Sequence, residues 1–337
     1  MPSPAPERID LLLRRFALQR VVVIGDMVAD EYVVGTPVRI SREAPVVILE
    51  YQERRLVPGG ATNVAANLRA LGAVVSVVGV IGDDVTGQEL VAAMEALGIG
   101  TAGLIVDPTR PTSTKTRIIG GGTQVVWQQM VRIDRVDSRA LDGAAKPRIL
   151  QAAHMALTEA QAMILSDYEH GVLDPDLIQL CLSHARSRPA MISTVDAHGD
   201  LYRFQGVTLA TPNQPEAEAT LGRQLHEPTE LRQGGEELIR GMQAQGLLLT
   251  RGSQGMVVLD GKGLYQELPP YQVAEIRDAT GAGDTVAATA TLALAAGASL
   301  LEAATLSTIA AGLVVRRFGA ATTSPDELRA AAASAVP

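Results

Sequence analysis

A single cysteine, Cys181, stands in the 337 residues, so the chain closes no intrachain disulfide and offers no thiolate cluster to a metal. A reducing, cytoplasmic compartment is the expected setting for such a chain. Aromatic residues make up only 3%. That argues against an aromatic-rich β-sandwich and for a core of Ala, Val and Leu in packed helices and buried strands. No basic run is present and the net charge is −8, so the electrostatic footprint of a nucleic-acid binder is missing. The most apolar helical stretch, 286–298, is too short to span a bilayer. Residues 1–20 are charged and lack the continuous apolar segment of a secretory leader. The expectation is a soluble protein with a small-molecule partner, without nucleic acid or membrane. Two nucleotide motifs are absent as well. Gly25-Asp26-Met27-Val28-Ala29-Asp30 lacks the Gly-x-Gly-x-x-Gly of dinucleotide oxidoreductases, and no Gly-x-x-x-x-Gly-Lys-Ser/Thr of a Walker ATPase occurs.

What is abundant is glycine, with 32 residues, and small apolar side chains in a chain that is 47% hydrophobic. The length suits two domains or one large α/β domain with an insertion. Residues 20–26 read as a buried strand ending at a polar turn. Residues 32–53 alternate apolar and polar, interrupted by Pro37 and Pro45, and 112–134 alternate again. Between these lie a helix opened by 59–63 and running to Leu71, a strand at 74–81 and a helix at 87–97. From 147 onward helix and strand take turns: helix 147–160, strand 162–166, helix 175–187, strands at 191–195 and 208–211, helices 215–221 and 231–245, strand 247–250. Such alternation predicts a doubly wound α/β fold, a mostly parallel sheet flanked by helices on both faces. The two alternating excursions, 32–53 and 112–134, do not fit that layer and are read as one small lid of β-strands. The Ala-rich stretch 329–335 reads as a fraying helix.

The chemistry concentrates in Asp278-Ala279-Thr280-Gly281-Ala282-Gly283-Asp284-Thr285, which runs into the apolar stretch 286–297. Gly281 and Gly283 permit turn conformations closed to other residues. The N–H groups of the helix that starts there form an anion site. A carboxylate set against an anion site needs a reason. Phosphoryl transfer supplies one: Gly281, Ala282 and Gly283 hold the transferring phosphate while Asp284 takes the proton of the attacking hydroxyl. The alternative is a Gly-rich turn in which Asp284 or Thr285 merely caps the helix.

Three further features fall where parallel strands end, the place where open α/β sheets bind ligands. They are Gly25-Asp26 with Asp30, Gly59-Gly60 with Asn63, and Asn213 with Glu216. Together with 281–284, and in this order, they resemble the ribokinase and phosphofructokinase-B family of sugar kinases. Residues 59–65 look like its first signature and 278–297 like its second. Within the family the likeness is strongest to kinases that phosphorylate D-glycero-β-D-manno-heptose 7-phosphate at the anomeric hydroxyl. It is carried by Arg39-Ile40-Ser41-Arg42-Glu43-Ala44-Pro45, Thr114-Lys115-Thr116-Arg117, Leu165-Ser166-Asp167-Tyr168, Leu209-Ala210-Thr211-Pro212-Asn213 and Thr250-Arg251-Gly252-Ser253-Gln254-Gly255-Met256. The expectation is a single kinase domain over 1–337, without the nucleotidyltransferase domain that bifunctional members carry after the kinase.

The resemblance implies roles residue by residue. Asp284 is the general base, and Gly281, Ala282 and Gly283 form the anion hole. Asp30, Gly59, Gly60 and Asn63 bind the sugar. Asn213 and Glu216 organise Mg²⁺ and phosphate, Glu216 through water. Thr250, Arg251, Gly252, Gly255 and Thr308 receive ATP. Asp278, Thr280, Val314, Arg317, Gly319 and Thr323 match a monovalent-cation site, expected to take K⁺. Lys115 and Arg117, two apart on a lid strand, share a face and suit a phosphorylated sugar, with help from Arg39 and Arg42; a solvated, charge-guarded strand edge is the other reading. Asp167 faces substrate or caps a turn, and Asp26 is read as an Asx turn ending its strand.

Three positions depart from the pattern. Asp196-Ala197-His198 stands where the heptose kinases have Asp-Pro-Lys, and His170 stands where they carry lysine after Ser-Asp-Tyr-x. Two permanent cations thereby become histidines, mostly neutral at pH 7. An apparent insertion in the lid hairpin contains Gly120-Gly121-Gly122 and Trp127, the only tryptophan. Since the lid often forms the dimer contact in this family, Trp127 is either an interface anchor of a homodimer or a lid-core aromatic.

Overall fold

The computed structural model describes residues 5–122, 125–271 and 277–334. Helix α1 (Pro6–Phe16) leads into β1 (Arg20–Gly25), whose residues from Val21 onward are all buried. Val22 and Ile24 point into one core and Val21 and Val23 into another. A strand covered on both faces must be apolar throughout, which is why 20–26 shows no alternation. The chain then passes directly into β2 (Met27–Ile40) and returns by β3 (Val47–Gly60) to α2 (Ala61–Ala70). Next come β4 (Val74–Gly82), α3 (Val85–Ala96) and β5 (Gly100–Asp107), then the hairpin β6 (Ser113–Gly122) and β7 (Val125–Arg135).

The remainder alternates as predicted: α4 (Ala145–Glu159), β8 (Ala162–Asp167), α5 (Pro175–Ser187), β9 (Ile192–Ala197), β10 (Leu209–Ala210), α6 (Gln214–Leu221), α7 (Pro228–Met242) and β11 (Gly246–Thr250). Beyond the predicted elements the structure adds the edge hairpin β12 (Met256–Asp260) and β13 (Tyr265–Leu268). Helices α8 (Ala282–Ala295), α9 (Leu300–Val314) and α10 (Pro325–Ser334) complete the chain's described elements. The reading from sequence also passed over α1, β5 and α9.

The main sheet has the order β13-β12-β11-β10-β9-β8-β1-β4-β5. It is parallel except for β12 and β13, which pair antiparallel at one edge. Helices α4, α5 and α7 cover one face, and α1, α2, α8, α9 and α10 the other. Strand order reverses at β1, with β8 on one side and β4 on the other. The carboxyl end of β1 is therefore the switch point, where a doubly wound sheet opens a crevice.

The second sheet, of order β3-β2-β6-β7, is the lid. Strands β2 and β3 pair antiparallel, β2 and β6 parallel, and β6 and β7 antiparallel. The lid begins at Met27 rather than at 32, and its return strand ends at Gly60 rather than at 53. Residues 27–30 are buried on both sides, so alternation starts only farther out and the base of the lid reads as core. In consequence Asp30 sits on the lid. Residues 123–124, within the expected lid insertion, lie outside the described residues. Trp127 packs on Gly121, where an added Cβ would lie 2.5 Å from its ring, and Trp127 remains 46% exposed. Among the described residues no helix is long and apolar enough to cross a membrane.

Candidate active site

Helix α8 starts after Gly281, which adopts φ 78°. A side chain there would be strained, and its Cβ would lie 2.5 Å from Asn63 Nδ2. Gly281 is thus glycine for two separate reasons. An added Cβ on Gly283 would meet nothing within 4 Å, so this residue opens onto free space. The Ala282 amide donates to the Ala279 carbonyl at 3.2 Å, leaving its neighbours in the first turn without intrahelical acceptors.

Asp284 lies in that first turn and is buried. Asn63 Nδ2 donates to its Oδ2 at 2.6 Å, and the Tyr168 hydroxyl donates to its Oδ1 at 2.8 Å. Asn67 fixes Asn63 by donating to its carbonyl at 2.9 Å, and the Thr285 hydroxyl donates to Asn67 Oδ1 at 2.8 Å. Helices α2 and α8 are clamped together by this chain of polar contacts. Burial pushes the Asp284 carboxyl up to about 6, against the pull of its two hydrogen-bond donors. A carboxylate in that range is basic enough to take a proton near neutral pH and ionised enough to be ready.

Two cavities meet at Gly283 and Thr250. One, of about 330 Å³, is mainly apolar, walled by Met256, Tyr271, Val286, Ala311 and Val315. Gly252, Gly255 and Thr308 line it, whereas Arg251 does not. The Arg251 guanidinium is instead held by Gln214 at 3.2 Å and Gln254 at 2.7 Å. Gly255, at φ 88°, would drive a Cβ to within 2.1 Å of the Leu268 carbonyl. The Thr308 hydroxyl is spent on the Ala304 carbonyl at 2.9 Å.

The other cavity, of about 250 Å³, is polar and contains Asp284. Its lid side presents Asp30, Lys115 and Arg117. Parallel pairing sets Asp30 beside Lys115 and Tyr32 beside Arg117, so all four share one face. Arg117 Nη1 donates to Asp30 Oδ1 at 2.7 Å, and both side chains are buried. Burial raises the Asp30 carboxyl while Arg117 pulls it down. Arg117 is therefore committed to Asp30 first. The Lys115 ammonium lies 4.5 Å over the Tyr168 ring, and burial lowers its pKa. Gly59 must lack a side chain, because a Cβ would fall 2.6 Å from the Asp30 carboxyl carbon. Gly60, at φ 51°, lines the same cavity. Arg39 and Arg42 are not among the residues that line it.

On the sheet side, Asn213 and Glu216 form a capping box at the start of α6. Glu216 N–H donates to Asn213 Oδ1 at 2.9 Å and Asn213 N–H to Glu216 Oε2 at 2.8 Å. The other Glu216 oxygen meets His198 Nδ1 at 2.5 Å. Asp196 also lines the cavity. Burial, then the charges of Asp284 and Glu216, push its carboxyl up to about 7. The hydrogen bond to Glu216 raises the His198 pKa, whereas burial pushes His170 down to about 4. The two histidines thus shift in opposite directions, His198 upward and His170 downward, which leaves His170 neutral at pH 7.

Asp167 turns away from the cavity. Its Oδ2 accepts from Arg203 at 2.9 Å and its Oδ1 from the Glu169 amide at 2.9 Å. These are the contacts of the turn-capping alternative, and Asp167 is not among the residues that line the cavity. Asp26 is more than an Asx turn: its buried carboxylate gathers the amides of Tyr168, His170 and Val172. In the expected cation site, Asp278 Oδ1 accepts from Thr280 N–H and Oδ2 from Gly319 N–H, both at 2.9 Å. The Val314 carbonyl accepts from Arg317 N–H at 2.9 Å, and the Thr323 hydroxyl donates to Glu327 at 3.1 Å.

Tyr168, Asp196, His198 and Thr211 line the cavity without a role in the sequence reading, and the contact of His198 with Glu216 is likewise new. Tyr168 follows β8 directly and Asp196 is the penultimate residue of β9, so position at a strand's carboxyl end was the available signal.

The fold is that of known sugar kinases. It matches Escherichia coli phosphofructokinase-2 in complex with substrates and products at a TM-score of 0.76, with 20% identity, covering 94% of this chain and 99% of that one. It matches Arabidopsis thaliana ribokinase complexed with ribose and ATP at 0.71, with 17% identity, covering 93% and 98%. By sequence, residues 18–327 match the description of pfkB family carbohydrate kinases, and the chain belongs to that family. Among curated proteins it is 36% identical over 323 residues to the bifunctional protein HldE of Trichlorobacter lovleyi, covering 96% of this chain and 65% of the relative. It is 38% identical over 308 residues to HldE of Geobacter metallireducens, covering 91% and 61%. The chain thus spans less than two thirds of the length of these relatives.

Proposed function

We propose that this chain is a kinase domain transferring the γ-phosphoryl group of ATP to the anomeric hydroxyl of heptose 7-phosphate. The observation that carries the reading is Asp284, a buried carboxylate placed where an apolar slot and a polar cavity meet at a helix N-terminus. The slot suits a purine, with Thr308 and the 250–255 loop around it. The amides of Gly281 and Gly283 then face the γ-phosphate, with the Ala282 amide shared with the Ala279 carbonyl, and Asp284 deprotonates the hydroxyl that attacks it. Asp30, with Gly59, Gly60 and Asn63 around it, suits a pair of sugar hydroxyls. The heptose is favoured by the motif likeness at 39–45, 114–117, 165–168, 209–213 and 250–256 and by similarity to the two HldE proteins.

Mg²⁺ fits the chemistry present. Asp196, Glu216 and Asp284 line one cavity, where burial first and the charges of Asp284 and Glu216 next raise the Asp196 pKa. Among the described residues no three such groups converge closely enough to hold a metal alone. That suits an ion carried by the nucleotide and met by Glu216 through water. It would neutralise charge on the phosphates. For K⁺, Asp278 ties the 278–281 loop to Gly319, and the hard oxygen donors of Thr280, Val314, Arg317 and Thr323 would complete the site. A solved structure of Escherichia coli phosphofructokinase-2 contains potassium. A homodimer through the lid is supported by its exposed apolar residues, Val38, Ile40, Tyr51, Trp127, Val131 and Ile133.

Turnover of ATP over a panel of heptose 7-phosphate, fructose 6-phosphate, ribose and fructose tests the reading. The sugar phosphates are expected to lead, heptose 7-phosphate first. Lys115→Met should raise KM for the sugar phosphate by roughly ten- to a hundredfold, the worth of a charged contact. A preference for unphosphorylated sugars would overturn both the substrate and the role of Lys115.

A further inference from the structure

The loop after β8 is backbone held by side chains beside Asp284. Asp26 accepts the amides of Tyr168 at 2.7 Å, His170 at 3.1 Å and Val172 at 3.3 Å. Glu169 sits between them at φ 61°, one of two non-glycine residues with positive φ among the described residues. That conformation is strained for a residue with a side chain. Asp167 secures it by accepting the Glu169 amide. Gly171, at φ 81°, would drive a Cβ to within 2.2 Å of the Arg139 carbonyl. Strain held in place by two buried carboxylates calls for a side chain that profits from it.

From this loop Tyr168 is the side chain that lines the cavity. Its hydroxyl donates to Asp284 Oδ1 at 2.8 Å. The Lys115 ammonium covers the ring at 4.5 Å, and the His198 ring packs edge-on at 4.5 Å and 88°. Backbone, ring face and ring edge are all fixed, and the one polar atom lands on the base.

We propose that Tyr168 is a positioning residue: its phenol holds the Asp284 carboxylate in one rotation, and its ring seats the lid's Lys115, tying the lid to the base. The inference rests on the reading of Asp284 as the base. A buried carboxylate turns about its last side-chain bond unless both oxygens are held. Asn63 holds one and Tyr168 the other. Two donors also favour the ionised form against burial. Burial and the nearby carboxylates push the phenol's own pKa well up, so it remains a donor at working pH. The other charged groups around Asp284 are Asp30 on β2, Lys115 and Arg117 on β6, Asp196 and His198 at the end of β9, and Glu216 on α6. A phenylalanine at 168 leaves all of them in place and keeps the ring.

The test compares Tyr168→Phe with the parent in kcat, KM for ATP and the pH profile of turnover, using heptose 7-phosphate. The expected result is a kcat lower by roughly ten- to a hundredfold, with KM for ATP within about twofold. The acid limb should move up by about half to one pH unit, because a donor to the ionised form is gone. Parental kcat with an unmoved acid limb would overturn the proposal, as would a loss of kcat matched by a drop in melting temperature with the limb unmoved. Asp284→Asn is measured alongside. Should that variant keep parental turnover, the base assignment itself fails, whatever Tyr168→Phe shows.

Discussion

Asp284→Asn is expected to lower kcat by about a thousandfold or more, the combined loss of a base and its positioning, while the protein melts no lower than the parent at pH 8. The two halves of this expectation have one cause. Burial raises the Asp284 carboxyl to about 6, so keeping it ionised costs folding free energy. In the unfolded chain the group titrates near the usual carboxylate value. Between that value and about 6 the folded state therefore binds more protons, and stability falls as pH rises. Above pH 6 the cost is fully present, on the order of 2–3 kcal/mol. Asparagine is neutral throughout and removes it. The new amide meets the Asn63 amide, which offsets part of the gain. Relative to the parent, the variant should thus look better at pH 8 than at pH 4.5. Thermal unfolding at the two values, beside turnover, checks this. A variant that is inactive and also unfolds more easily at pH 8 would mean that Asp284 serves the fold rather than the reaction.

Arg117→Met is expected to destabilise the chain by about 3–5 kcal/mol, the usual consequence of stranding one partner of a buried ion pair. The partner is Asp30, whose Oδ1 takes the guanidinium at 2.7 Å. Without Arg117, desolvation of Asp30 is opposed only by the charges of Lys115 and Arg132, and its carboxyl rises further. Like Asp284, it then costs stability increasingly as pH climbs above the ordinary carboxylate range. The double variant Asp30→Asn with Arg117→Met removes the stranded charge and should recover most of the loss. Urea unfolding of the parent, the single and the double variant reads this directly. A single-variant loss below about 1 kcal/mol would place the pair in effective contact with solvent and free Arg117 for the sugar phosphate.

These two residues also mark what the amino-acid order displays. The 278–285 loop was legible because its chemistry is local: glycines, a carboxylate and a helix start lie side by side. The parallel sheet was legible in β1, β4, β8 and β11, where burial on both faces forces continuous apolar runs. Helix α9 was not read, because Leu300–Val314 is buried nearly all round and shows no polar stripe. The base of the lid was lost for a related reason, residues 27–30 being covered on both sides. The site was legible as a set of residues and not as a set of contacts. Asn63 and Asp284 are 221 positions apart, Tyr168 and Asp284 116, and Asp30 and Arg117 87. No periodicity connects such pairs. Spacing puts Lys115 and Arg117 on one face, and the register of β2 against β6 sets Asp30 beside Lys115, yet it is the Arg117 guanidinium that reaches Asp30. Likewise Asp167 and Asp26 both follow strands, and the loop fold alone assigns them to backbone and Arg203.

The central claim is phosphoryl transfer to a sugar-phosphate hydroxyl with Asp284 as base. Phosphorus NMR of the product from ATP, Mg²⁺ and heptose 7-phosphate tests it most directly. The account predicts a new sugar phosphate resonance at the anomeric position beside the retained 7-phosphate, appearing in step with ADP and absent with Asp284→Asn. ADP accompanied only by inorganic phosphate, or an anomeric phosphate formed equally well by Asp284→Asn, would contradict it.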